Sequence, residues 1–187
     1  VPHVGFRTDD WQEGTTLINN IVHKSGSSAF IHKGINTIKN NIIIDCNRGF
    51  HFRAYPQQYF VPESDITNNI VYSSSANFVP NSIFKWGRMF VHVAGIKPIP
   101  YEYNMDYNSY WWPGAEKDLE NKRKNGIEAN GVVMDPNFKD LSKQDYTIKN
   151  KKLLKAIKFE PFDTKLSRFG ITKEYPAKFK ALDKTLN

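Results

Sequence analysis

Thr15-Thr16-Leu17-Ile18-Asn19-Asn20-Ile21-Val22-His23 decides the fold, because the chain writes it twice more. The second copy is Asn36-Thr37-Ile38-Lys39-Asn40-Asn41-Ile42-Ile43-Ile44, and the third is Ser64-Asp65-Ile66-Thr67-Asn68-Asn69-Ile70-Val71-Tyr72. Asn20, Asn41 and Asn69 are 21 and 28 residues apart. Short β-rich runs repeating every 20–30 residues and broken by Asn are the signature of a solenoid. Asn fits the sharp bends of such a rung, since it tolerates the left-handed backbone region better than most residues. Stacked Asn side chains also hydrogen-bond to one another along the stack.

Working outward, residues 1–80 are repeat-like. They hold short β-branched and aromatic runs separated by Gly, Ser, Asn and Pro, with no helical period. The segment Pro56-Gln57-Gln58-Tyr59-Phe60-Val61-Pro62-Glu63-Ser64 lengthens the third unit and accounts for the wider spacing. A further strand-like stretch is expected at Phe84–Val93, and residues 115–130 read as one short helix. The expected architecture is all-β: a right-handed parallel β-helix over 1–112, with 113–187 as an irregular closing region of the same domain.

Composition excludes several classes. Aromatics at 14% and hydrophobics at 40% exclude a disordered chain. No apolar run of 18 residues exists, so no helical membrane span is expected. Cys46 is the one cysteine, which excludes a disulfide framework and a Cys-type zinc site. The net charge of +7 is uneven. Residues 1–110 hold nine basic and eight acidic groups, against 17 and 11 in 111–187. The excess therefore lies in Lys-rich runs near the C-terminus, which read as solvated surface, and no nucleic-acid motif accompanies them. His-Glu-x-x-His, a phosphate loop and a nucleophile elbow are all missing.

The order of motifs resembles the parallel β-helix proteins of the pectate-lyase-like superfamily, particularly carbohydrate-active enzymes of bacteria. The resemblance rests on Gly5-Phe6-Arg7-Thr8-Asp9-Asp10-Trp11, Asn19-Asn20-Ile21, Ile31-His32-Lys33-Gly34 and Asn40-Asn41-Ile42. Toward the C-terminus it continues through Asp106-Tyr107-Asn108-Ser109-Tyr110-Trp111, Asp135-Pro136-Asn137-Phe138, Asp145-Tyr146-Thr147-Ile148 and Phe159-Glu160-Pro161-Phe162-Asp163. It spans about residues 5–170. It implies a secreted, periplasmic or cell-surface protein acting on a polysaccharide. Proteins of this group are generally longer and carry rungs ahead of the Asp-Asp segment. N-terminal rungs of the same protein, or another chain, are therefore expected to cover the open end of this stack.

Aligning the rungs gives candidate site residues. Matching Ala29-Phe30-Ile31-His32 to Phe50-His51-Phe52-Arg53, a shift of 21, points Phe30, His32, His51 and Arg53 outward. The expected outward columns are Asp9–His32–Arg53 and Arg7–Phe30–His51, with rungs about 4.8 Å apart. Such a wall moves protons and holds a carboxylate. Asp9, Asp10, His32 and Arg53 are the catalytic candidates; Arg7, His51 and Tyr55 are the substrate-binding ones. Tyr59, Phe60 and the Trp111-Trp112 pair are further stacking candidates, against a plain packing role. Asp45 reads as a turn residue or a second carboxylate, and Glu13 and Asp65 as surface. His3, His23 and His92 have no companion ligands, so no metal or other cofactor is expected. Calcium needs several clustered acids, and only Asp9 and Asp10 adjoin.

Three functions fit this wall. The first is a glycoside hydrolase, which needs two carboxyl groups. The second is a lyase eliminating across a uronate, with Arg53 or His32 as base. The third is a carbohydrate-binding solenoid without catalysis.

Overall fold

The computed structural model describes residues 4–8, 12–32, 35–53, 64–75, 77, 79–84 and 104–164, with the backbone alone for His32, Phe52, Arg53 and 79–84. The chain winds through four rungs of three strands each. The first rung holds β1 (Val4–Arg7), β2 (Thr16–Ile18) and β3 (Ile21–His23). The second holds β4 (Ser28–His32), β5 (Thr37–Lys39) and β6 (Ile42–Ile44). The third holds β7 (Arg48–Arg53), β8 (Asp65–Thr67) and β9 (Ile70–Tyr72). The fourth holds β10 (Val79–Phe84), β11 (Asn104–Asp106) and β12 (Ser109–Trp111). Like strands stack into three parallel sheets: β1-β4-β7-β10, β2-β5-β8-β11, and β3-β6-β9-β12. This is an all-β parallel β-solenoid. The strand expected at 84–93 ends at Phe84, and 85–93 lies outside the described residues.

Alternation along each strand sends one side chain inward per rung. Leu17, Ile38, Ile66 and Met105 fill the core from the second sheet, and Val22, Ile43, Val71 and Tyr110 from the third. Phe6, Phe30 and Phe50 stack on the first, with ring centroids 5.5 and 5.9 Å apart. Each fully buried chain of this size contributes roughly 1.5–3 kcal/mol. Gly5 is required for space, since a Cβ there would stand 2.6 Å from the Ala29 carbonyl oxygen and from Val22 Cγ1.

The Asn pairs do two jobs. The first of each pair bends the chain: Asn19, Asn40 and Asn68 have φ of 59°, 57° and 59°, and Tyr107 takes the same place in the fourth rung at 55°. The second of each pair turns inward and builds a ladder. Asn41 Oδ1 accepts from the Asn20 backbone N–H at 2.9 Å and from Asn20 Nδ2 at 3.0 Å. Asn69 Oδ1 does the same for Asn41, and Asn108 Oδ1 for Asn69. Each Nδ2 also donates to a carbonyl one rung back: Asn41 to Leu17, Asn69 to Ile38, Asn108 to Ile66.

Helix α1 (Ala115–Lys124) follows, and its Ala115 and Leu119 join the rung core beyond the fourth rung. The strand β13 (Val132–Val133) then pairs with β12, and β14 (Phe138–Asp140) forms an antiparallel pair with β15 (Asp145–Ile148). A second helix, α2 (Lys151–Ala156), adds to the one expected from sequence; its Asn150 cap accepts from the Leu153 N–H at 3.0 Å. This tail packs Tyr146, Ile148, Leu153, Ile157 and Phe159 onto Ile42, Ile44 and Ile70, on the outer face of the third sheet. Asn40 and Glu160 exchange two hydrogen bonds, and Asn68 Nδ2 donates to the Ile157 carbonyl, so the tail is fastened to the bend column.

The register of the first sheet corrects the alignment read from sequence. The second and third sheets keep the shift of 21 between the first two rungs, as in Leu17↔Ile38 and Val22↔Ile43. The first sheet pairs Phe30 with Phe50, a shift of 20. The cause is the corner ahead of it: residues 24–27 join β3 to β4, but only 45–47 join β6 to β7. A one-residue slip exchanges faces. Phe30 therefore points into the core at 1% exposure, and the outward column is Arg7–Ile31–His51. His32 stands level with Phe52, and Arg53 with Phe84, so no Asp9–His32–Arg53 column forms.

Candidate functional site

The three corners of the prism are not alike. From the second sheet to the third, every rung uses two residues: 19–20, 40–41, 68–69 and 107–108. From the third to the first, connections are short: 24–27, 45–47 and 73–78. From the first to the second they vary widely: 8–15, 33–36, 54–64 and 85–103. Length variation at one edge of a rigid scaffold marks where function is carried. The third sheet's outer face is occupied by the tail, which leaves this edge as the candidate site.

Three of the sequence candidates end their strands at this edge. Arg7, His32 and Arg53 are the last residues of β1, β4 and β7, so all three stand where the chain leaves the first sheet. Asp9, Asp10 and Tyr55 belong to the connections at this edge and lie outside the described residues, as do Tyr59 and Phe60. Among described side chains, Arg7 is exposed, whereas His51 is only 5% exposed.

Across the edge, the second sheet presents the column Thr16–Thr37–Asp65–Asn104. Its carboxylate, Asp65, accepts from Asn104 Nδ2 at 2.7 Å and from Thr67 Oγ1 at 3.4 Å. Sequence reading treated Asp65 as plain surface. Its place as the first residue after the 54–64 connection puts a half-buried carboxylate at the same edge. The signal for it was available, since it follows the one insertion visible in the repeat.

Other candidates separate clearly. Asp45 is a bend residue with φ 47°, and its Oδ1 accepts from the Ser74 N–H and hydroxyl at 2.8 and 3.0 Å. It lies at the third-to-first corner, away from the Asp9 edge. Trp112 is buried edge-on against Tyr110, but Trp111 is 36% exposed. Glu13 is exposed. His23 Nδ1 shares a 2.6 Å hydrogen bond with the Tyr146 hydroxyl, and burial lowers its pKa. His3 and His92 lie outside the described residues.

One ionisable cluster was missed. Glu128, buried and with φ 60°, ends the Asn ladder. Its Oε1 accepts from Asn108 Nδ2 at 2.7 Å and from the Tyr110 hydroxyl, and its Oε2 accepts from the Asn108 N–H at 3.3 Å. Burial pushes its carboxyl up. Burial, then the Glu128 charge, drives the Tyr110 phenol well above its usual value. Lys122, itself buried, pairs with Asp118 and lies 5.0 Å over the Tyr110 ring. Its hydrogen bonds run to the last ladder Asn and to a core tyrosine, which makes Glu128 the terminus of the ladder.

Among the described residues, no group of three or more His, Cys, Asp or Glu side chains is placed to hold a metal ion, and no helix is long and apolar enough to cross a membrane. The fold and edge define a parallel β-solenoid whose variable connections converge on one side. Compared with protein-family models, with curated proteins and with solved structures, the chain matches none.

Proposed function

We propose that this chain is a carbohydrate-active β-solenoid that hydrolyses glycosidic bonds of a polysaccharide at the edge between its first and second sheets. The observation that supports the reading is that Arg7, His32 and Arg53 end their strands, and Asp65 begins its strand, at this edge. An extended sugar polymer suits a wall whose rungs repeat about every 4.8 Å. Hydrolysis needs one carboxyl group to protonate the departing glycosidic oxygen and another to take a proton from the attacking water. Asp9 and Asp10 are the proposed pair, and Asp65 is a third carboxylate on the facing sheet. His32 and Arg53 orient the reacting sugar; Arg7, His51 and Tyr55 hold its neighbours. The setting is extracellular, periplasmic or cell-surface.

A second reading, β-elimination from a uronate, draws support from Arg7, an exposed guanidinium at the end of β1 on this edge. A panel of neutral and acidic polysaccharides separates the two. New reducing ends without unsaturated-uronate absorbance support hydrolysis, and that absorbance supports elimination. In the hydrolase, Asp9→Asn or Asp10→Asn lowers the rate by about a hundredfold or more. Unchanged rates in Asp9→Asn, Asp10→Asn, His32→Ala and Arg53→Ala would sink the site assignment. Sugar binding without any product would leave a binding solenoid.

A further inference from the structure

A polar cleft lies at another corner, where the third sheet passes to the first. It encloses about 430 Å³ and is lined by Asp45, Asn47, the serines at 73–75 and Asn77, with Cys46 as its buried floor. That volume falls in the range of small-ligand sites. The rim is dense in hydroxyl and amide groups. Asp45 commits Oδ1 to Ser74, and no hydrogen bond among the described residues engages its Oδ2. Among the described residues, Asp45 is the one charged member of the lining. Cys46 brings no reactive thiolate, because burial pushes its thiol up to about 11.

An aromatic shelf adjoins this cleft. Trp111 and Tyr72 stand in register as the last residues of β12 and β9. Trp111 is 36% exposed, although it sits on a sheet face otherwise covered by the tail. The shelf and the cleft are joined through the backbone: the Ser73 N–H donates to the Trp111 carbonyl at 2.9 Å, and the Asp45 N–H to the Tyr72 carbonyl at 3.0 Å. An exposed aromatic residue bonded through its backbone to Ser73 of the cleft, with hydroxyls, amides and one carboxylate in the lining, suits a pyranose, which offers an apolar CH face and a rim of hydroxyls. An anionic sugar would meet Asp45 with no lining cation to offset it.

We infer that the Asp45–Ser74 cleft and the Trp111 shelf form a binding subsite for a neutral saccharide unit, separate from the edge that carries the long connections. The inference rests on the proposed carbohydrate activity and names a substrate class for a second place on the same protein. A polymer engaged here is held at the other end of the first sheet's strands from the reacting bond, which raises its effective concentration at the edge.

The test is calorimetric titration of the full chain with neutral xylo- and gluco-oligosaccharides and with oligogalacturonate. The expected result is binding of a neutral series accompanied by a change in tryptophan fluorescence. Trp111→Ala weakens it about fivefold to tenfold. Asp45→Asn weakens it severalfold while keeping the Ser74 bonds and the left-handed bend, which Asn tolerates. Circular dichroism confirms that both variants fold. Equal binding in wild type and Trp111→Ala, binding of oligogalacturonate alone, or no saccharide binding each overturns the inference. Product release without Trp111-dependent binding defeats the subsite and leaves the hydrolase. Trp111-dependent binding without product release does the reverse.

Discussion

Glu128→Ala removes the group on which the Asn ladder ends, and the structure sets the size of the effect. Three donors lose their acceptor: the Asn108 N–H, Asn108 Nδ2 and the Tyr110 hydroxyl. Asn108 and Tyr110 are both 0% exposed, so bulk water does not replace it. A buried donor left unmatched costs about 1–3 kcal/mol. Relief of Glu128's own desolvation opposes this, because burial is what raises its carboxyl pKa. The net loss is about 3–5 kcal/mol, the scale of breaking a buried polar network from one side. In a chain of 187 residues that lowers Tm by roughly 6–20 °C. Glu128→Gln keeps one acceptor but sets its amide against a donor, and costs about 1–2 kcal/mol. Gly131 makes room for the wild-type carboxylate, since a Cβ there would stand 2.5 Å from Glu128 Oε2.

The same residue gives a pH signature. A raised carboxyl pKa means that the folded chain binds this proton more tightly than the unfolded chain does. The proton's contribution to stability is complete below the unfolded carboxyl value of about 4.3 and is lost as pH rises through the folded value. Subtracting the Glu128→Gln stability curve from that of wild type should isolate this slope. Urea unfolding of both across pH 4–8 measures it. A Glu128→Ala chain within about 1 kcal/mol of wild type would refute the ladder-terminator argument.

Two further outcomes follow from the interior. Asn69→Asp swaps the donor to Ile38 and Asn108 for an oxygen facing two acceptors, so stability falls by about 3 kcal/mol or more, read by urea unfolding; an unchanged midpoint would count against the ladder. Cys46, buried and with its thiol pushed up to about 11, should react with an aromatic disulfide reagent at pH 8 far more slowly than in the denatured chain; a fast native reaction would contradict its place beneath the cleft.

Much of the fold is legible because its chief device is chemical and periodic. An Asn that bends, followed by an Asn that stacks, leaves a fixed pair ahead of each apolar run. The fourth rung is harder to see, because Tyr107 replaces the bending Asn and the spacing from Asn69 to Asn108 is 39. Tyr107 holds the same left-handed bend as the three Asn residues before it, so the ladder, not the bend residue, defines the rung. The face of the first sheet was misread for a local reason, one residue fewer at 45–47. A phenylalanine match, Phe30 with Phe50, contained the correction. Ile42-Ile43-Ile44 also held unread information, since a strand apolar on both faces is covered on both. Glu128 had no such signal. Its position follows from a bend beyond α1, which no period announces.

The ladder also restricts where the connections can vary in length. Asn41 and Asn69 bond to the rungs on both sides, so an insertion at their corner between the second and third sheets would break bonds in two directions. That corner keeps two residues in all four rungs. The bend residues beside it are committed as well, since Asn40 and Asn68 fasten the tail. The tail in turn closes the outer third sheet, except where Trp111 remains exposed. Only the remaining corners are free to change length without disturbing the ladder. One carries the long connections with the ionisable candidates, and the other carries the polar cleft. These two corners flank the first sheet, so in the proposed function an extended polymer that engages both crosses that sheet's outer face.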